Sequence, residues 1–441
     1  MRCFAQAPCS STVRAARAVI QEVPAAAHSS VSLLASCNTA NAERAVHNLS
    51  RKCKLALPLK IADVSAVGKE TIPILRLTEW FRFFMSANLW FMLSGLSAPD
   101  EERSTAQWSL FWSRFRAISP NHPVFQKSES ELGRTCALII HGDEGRSRKK
   151  TGILILSGHS VLGAGTEVHS EQRSCEEYTK QSLNFKGNTW SSRFLLAVMP
   201  KMYFDGERSP NLQLVLKEVA SDARSLLETG VRSLTGQVHY VAVIYVIGDW
   251  PFLAKAFSLK RSYANSAKAS ASKQTPRGIC HICRADQPGY PFEDWESARP
   301  RWKATENEDN PFDGFPSLLG VPHDTTRSVD FLGQDLFHSW HIGSGKIFVA
   351  CALVLSSEYF PGTSAVRRFE ELSEHFMLWC RTNRQQPYVR KITRDSVCWF
   401  GAGDSPVGTW SKGNTTLVLT RWFLSFCRSR RNEIAEESLM Y

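Results

Sequence analysis

Apolar residues recur three or four apart within clusters from Ile72 to about Phe125, among them Leu75, Trp80, Phe83, Phe84, Leu89, Trp90, Leu93, Trp108, Phe111, Trp112 and Phe115. That spacing predicts helices. The stretch Ser94-Gly95-Leu96-Ser97-Ala98-Pro99-Asp100 splits the pattern in two, and Pro120 and Pro123 end the second part. The aromatic residues read as the core of a small helical module rather than as a base-stacking surface. Phe83 to Leu96 is too short for a membrane span of about 20 residues and reads as a buried helix.

A different rhythm begins at Cys136. Cys136 to His141, Ile153 to Leu156 and Arg193 to Met199 are short apolar runs, each of a length that suits a strand. Asn211 to Gly230 then shows one apolar face, Leu212, Val215, Leu216, Val219, Ala223, Leu226 and Leu227, with Gly230 as its stop. Val238 to Ile247 is almost continuously apolar and rich in β-branched residues, as in a strand buried on both faces. The order strand, strand, strand, helix, strand is that of the ribonuclease-H-like fold. Right-handed crossover would set the fourth strand parallel to the first. The expected class is therefore α/β: a ribonuclease-H-like mixed sheet core with a zinc-knuckle insert and flanking helical segments.

Polar residues at two strand ends supply candidate chemistry. Asp143 follows the first strand in Gly142-Asp143-Glu144-Gly145, and Asp249 follows the fourth in Gly248-Asp249-Trp250-Pro251. On adjacent parallel strands the two would project from the same sheet edge, where they could share divalent metal. Gly-Asp after a strand is also a common turn. Arg146, Arg148, Lys149 and Lys150 beyond Asp143 could hold phosphates or cover a solvated hairpin.

Charge sharpens this only locally. The 441 residues carry 53 Lys and Arg against 42 Asp and Glu, a net charge of +11 that favours polyanionic partners. Residues 1–60 account for +6 of it, in an Ala/Ser/Arg-rich leader that suits either a disordered basic arm or an organellar transit peptide. A second basic stretch, Lys255, Lys260, Arg261, Lys268, Lys273 and Arg277, has no acidic residue between Pro251 and Cys280. It reads as a loop, either a backbone-tracking surface for nucleic acid or a solvated linker.

The twelve cysteines are scattered along a long chain, which argues against a secreted disulfide scaffold. One local pair stands out, Cys280-His281-Ile282-Cys283, followed about 55 residues later by His338 and His341. Two thiolates and two imidazoles would make a closed tetrahedral Zn²⁺ site pinning the insert to the sheet. His281 competes as a ligand, His338 and His341 could be core or surface residues, and a redox Cys-x-x-Cys is a further alternative.

Gly248-Asp249-Trp250-Pro251, Cys280-x-x-Cys283 and Asp335-Leu336-Phe337-His338 with Gly343 and Lys346 together resemble the Kyakuja-Dileera-Zisupton and Plavaka group of DDE-type transposases. The likeness covers roughly Cys136 to Lys346, and the chain as a whole looks like multicopy transposon-derived proteins of protist genomes. It implies a ribonuclease-H-like core, Mg²⁺- or Mn²⁺-dependent DNA cleavage and strand transfer, Asp143 and Asp249 as the first two acidic ligands, and a nuclear location. DNA would be the partner, with no membrane; an oligomer is compatible with the likeness. For the third carboxylate, Glu370, Glu371 and Glu374 lie off the apolar face of the helix Ala365 to Cys380, which Val366, Phe369, Leu372, Phe376 and Trp379 define. Asp335 ranks first, though beside His338 it could instead orient a zinc ligand.

These readings divide the chain into a basic leader (1–65), an aromatic-rich helical module (66–130), the first part of the core (131–250), an insert with the zinc knuckle (251–345) and a helical part completing the core (346–441). No sequence-specific DNA-binding module is evident, which suits a degenerate or domesticated copy. The expected function is transposase-like, metal-dependent phosphodiester cleavage, with DNA contacts from Arg146, Arg148, Lys149, Lys255, Lys260, Arg261 and Lys268. The alternative is a catalytically inactive, zinc-stabilised DNA-binding or interaction protein.

Overall fold

A computed structural model of the chain describes residues 9–53, 57–68, 70–146, 151–163, 193–204, 209–263 and 278–433. The described residues fall into two compact units. The first holds residues up to Val246 and Trp250–Leu332; the second holds Ile247–Asp249 and the chain from Gly333.

The first unit is built on a seven-stranded mixed sheet in the order β1-β2-β5-β4-β3-β7-β6. The strands are β1 (Ile61–Ser65), β2 (Thr71–Leu75), β3 (Thr135–Arg146), β4 (Gly152–Ser160), β5 (Phe194–Pro200), β6 (Val231–Arg232) and β7 (Val238–Gly248). β3, β4 and β5 form the expected antiparallel meander, and β7 returns beside β3. The starts of β3 and β7 lie together, because the Tyr240 N–H donates to the Arg134 carbonyl (2.9 Å) and Arg134 Nε to the Val238 carbonyl (3.3 Å). Neighbouring strands whose starts meet run parallel. Beyond β7 stand the short β6 and a single parallel bridge, Val246 to Leu332.

The helix before β7 is the predicted one. Pro210–Glu228 buries Leu212, Val215, Leu216, Val219, Ala223, Leu226 and Leu227, the whole predicted face, and adds Ala220. Gly230, at φ +64, follows its end. Each buried Leu or Val removes about 1.5–3 kcal/mol of apolar exposure from water, so this face is a large part of the core.

The aromatic-rich segment is not a separate module. Trp80, Phe84, Trp90, Trp108, Trp112 and Phe115 pack in the same core as the sheet. The helix Glu101–Ile118 is tied to the first residue of β3 by Trp112 Nε1, which donates to the Thr135 carbonyl at 2.8 Å. The predicted helix from Phe83 to Leu96 is broken: Leu77–Ser86 ends, Asn88 takes φ +55, and one turn follows at Trp90–Leu93. Two strands went unread: β1 lies at the end of the segment read as a basic leader, and β2 at the start of the helical spacing.

In the leader, where composition suggested an arm without structure, three helices stand at α1 (Cys9–Glu22), α2 (Ser30–Ala35) and α3 (Ala42–Lys52).

The second unit is helical. Ser344–Ser357, Ala365–Thr382 and Gly413–Ser429 enclose a core of Val349, Leu353, Phe369, Leu372, Phe376, Leu419, Trp422 and Phe426. Glu370, Glu371 and Glu374 are exposed, as their helical position predicted, while Val366 in the first turn is exposed rather than buried. Among the described residues one run, Phe337–Ser357, is long and apolar enough to cross a membrane; Val349, Ala350 and Leu353 within it belong to the helical core.

Candidate carboxylate and histidine site

β3 extends further than its apolar residues suggested. The sequence places a strand end at His141, but antiparallel pairing with β4 continues through Asp143 opposite Ile155 to Arg146 opposite Gly152. Asp143 is therefore a strand residue and not the Asx turn that Gly-Asp can make. Gly142 permits this. A Cβ there would lie 2.3–2.5 Å from the ring of Phe252, which is fully buried. Phe252 belongs to the helix Trp250–Ala256 that begins right after Asp249, with Pro251 in its first turn, where a missing N–H costs nothing. The ring of that helix thus packs directly on the strand that carries Asp143.

Gly142→Ala is expected to lower stability by about 1–3 kcal/mol, since the intruding methyl must push a buried ring aside. Urea denaturation would measure it, and Phe252→Leu in the same chain would recover part of the loss.

Asp143 lies within β3, and Asp249 directly follows Gly248, the last residue of β7. Both carboxylates are partly buried.

In the second unit, Asp249 and His338 offer ligand atoms within 4.8 Å of one another. His338 lies in the wide helical turn Phe337–His341. Asp335 starts that turn and has both oxygens engaged: Oδ1 accepts the Phe337 N–H at 2.8 Å, and Oδ2 accepts from His338 Nδ1 at 2.9 Å. A carboxylate can only accept, so Nδ1 carries the proton and Nε2 is the nitrogen with a lone pair. Of the two roles expected of Asp335, third carboxylate or partner that orients a histidine, this bond matches the second.

His338 keeps company with carboxylates, and among the described residues no group of three or more potential metal ligands includes Cys280, Cys283 or His341. The pair itself makes a local knuckle: the Ile282 N–H points at Cys280 Sγ (3.4 Å), and burial, aided by Cys280, pushes the Cys283 thiol up to about 11. His281 packs on Trp250, with ring centroids 5.1 Å apart, and burial holds its pKa at about 4. Ion pairing fastens the knuckle. Arg284 grips Asp309 with two bonds of 2.6 and 2.9 Å, and Arg261 reaches the same carboxylate at 3.3 Å and the His281 carbonyl at 3.1 Å.

That binding removes Arg261 from the DNA-contact candidates. At 4% exposed it is an internal brace. Lys255 is likewise spoken for: it lies in the helix Trp250–Ala256 rather than a loop, paired with Glu144 at 2.7 Å and poised over the Phe204 ring. Lys260 is exposed. Arg146 ends β3, and only its backbone is described; Arg148, Lys149 and Lys268 lie outside the described residues.

Sequence reasoning missed the grouping of His338 with Asp249. The Asp335-x-x-His338 spacing signalled the orienting pair, but its carboxylate neighbour is about 90 residues away in the chain, beyond the reach of local pattern. No protein-family model matches the chain, and no curated protein matches it either.

Proposed function

We propose that this chain is a metal-dependent enzyme of DNA phosphodiester chemistry, transposase-like, with a ribonuclease-H-like core formed by β5, β4, β3 and β7. The observation that carries the reading is that β3 and β7 are neighbours in the sheet, with Asp143 in the last part of β3 and Asp249 directly after the end of β7. Three further features support it. The strand order is the meander and crossover expected of that core. The single bridge from Val246 to Leu332 stands where a parallel fifth strand would pair. Asp249 lies within ligand reach of an imidazole whose other nitrogen is fixed by a carboxylate, an arrangement typical of metal-binding histidines.

The donor types fit a divalent ion. Two carboxylates suit Mg²⁺ or Mn²⁺, and an added imidazole favours Mn²⁺, the softer of the two. When bound, such an ion would polarise a phosphate oxygen and lower the pKa of an attacking water or 3′-hydroxyl. The protein groups have distinct tasks. Asp143 and Asp249 supply negative charge and oxygen donors, Asp335 keeps the proton on His338 Nδ1, and Lys255 engages Glu144 beside Asp143. The Cys280 and Cys283 pair would supply two thiolates to a structural Zn²⁺.

The test is nicking and binding of supercoiled DNA with Mg²⁺ or Mn²⁺, for wild type and Asp143→Asn. Metal-dependent nicking, faster in Mn²⁺ and lost in the variant, supports the enzyme. Salt-sensitive binding without nicking would instead support a catalytically inactive DNA-binding protein.

Asp335→Ala gives a finer expectation. Without its acceptor the imidazole loses a fixed tautomer and orientation, so Mn²⁺ binding should weaken about 10- to 100-fold with little loss of fold. Titration of Mn²⁺ by calorimetry checks it.

A further inference from the structure

Away from the sheet, the N-terminal helices bring together three side chains of different chemistry. Cys9 opens α1, and Glu43 and His47 stand one turn apart on α3, on one face. Their ligand atoms all lie within 4.8 Å of one another. Glu43 Oε1 accepts the Cys9 backbone N–H at 3.0 Å, and its carboxylate also accepts from the Cys9 thiol. Glu43 and His47 are exposed, so an ion from solvent has access.

We propose that Cys9, Glu43 and His47 form a Zn²⁺ site that staples α1 to α3, independent of the carboxylate site on the sheet. The ligand types argue for zinc: one thiolate, one imidazole and one carboxylate make a borderline-soft set that Mg²⁺ and Mn²⁺ match poorly. Three protein ligands leave the fourth tetrahedral position to water. On binding, the Cys9 S–H bond breaks, its proton goes to solvent, and a sulfur–zinc bond takes its place beside the carboxylate that had accepted it.

The helices also need such a staple. α1 buries only Val13 and Ala16, and α3 only Ala42, none of them part of the sheet's core. Three small or medium apolar side chains offset little of the entropy of ordering some forty residues, and metal is a common means of holding so small a core.

The experiment is alkylation of Cys9 in the full chain, followed by peptide mass spectrometry, so that the other cysteines do not confuse the readout. Zn²⁺ is expected to slow Cys9 alkylation at least tenfold in wild type, Mg²⁺ to leave it unchanged, and His47→Gln to abolish the zinc effect. His47 is exposed, so this variant leaves packing intact. Wild-type Cys9 that alkylates equally fast with and without zinc would overturn the proposal, as would equal zinc protection in His47→Gln.

Discussion

Replacing Asp143 or Asp249 by Asn is expected to lower metal-dependent DNA nicking by about 10³-fold or more, equivalent to about 4 kcal/mol of barrier. Asn keeps the volume and one oxygen but removes the charge that would hold a divalent ion. Asp143 sits in regular pairing with β4, and its backbone bonds do not depend on the carboxylate. The substitution should therefore spare the sheet, which circular dichroism and an unchanged urea midpoint would verify. If both residues serve one site, the double variant should be no worse than either single one, because groups that act as a unit are not additive. Independent losses that multiply would mean that the two carboxylates do separate work.

The second large effect is on stability. His122 is 3% exposed and His239 is 6% exposed, and burial holds the pKa of each at about 4, against 6.5 for a free imidazole. The unfolded chain takes up a proton at each near pH 6.5, whereas the folded chain does so only near 4. Folding stability is therefore complete above about pH 6.5, falls as the pH drops to about 4, and levels off below that. Each histidine contributes up to about 1.4 kcal/mol per pH unit, or about 3 kcal/mol over the window. Urea midpoints at intervals from pH 7 to 4 measure the slope. His122→Asn keeps an acceptor for the Val124 N–H that His122 Nδ1 now binds at 3.1 Å, and it removes the titration. Its slope should be shallower than that of wild type; an equal slope would show that His122 does not drive the acid response.

Much of the sheet could be read from the chain because its central strands are continuous apolar runs. β7 and the helix Pro210–Glu228 carry their burial in their residue types, so their positions and order followed directly. β3 was cut short because Gly142-Asp143-Glu144-Gly145 has the composition of a turn; only the pairing with β4 and the Phe252 ring over Gly142 keep it extended. β1 and β2 are short, and β2 contains Pro73, so neither has a strong strand signature.

The candidate site divides along the same line. Asp143 and Asp249 stood out as candidates because each follows an apolar run with a clear strand signal. The Asp335 and His338 pair could be found because its spacing is local. Which carboxylate His338 joins, and which cations are already neutralised, depends on contacts between distant segments. Lys255 and Arg261 looked available in an acid-free run, yet Glu144 and Asp309, from well outside that run, engage them. A charge count along the chain does not report partners that arrive through folding.

The central claim is that Asp143 and Asp249 hold a divalent metal, and it can be tested without any DNA. Calorimetric titration of Mn²⁺ into the wild-type chain and into Asp143→Asn/Asp249→Asn reads it directly. The account predicts saturable binding in wild type that the double variant loses; equal binding in the two proteins would contradict it.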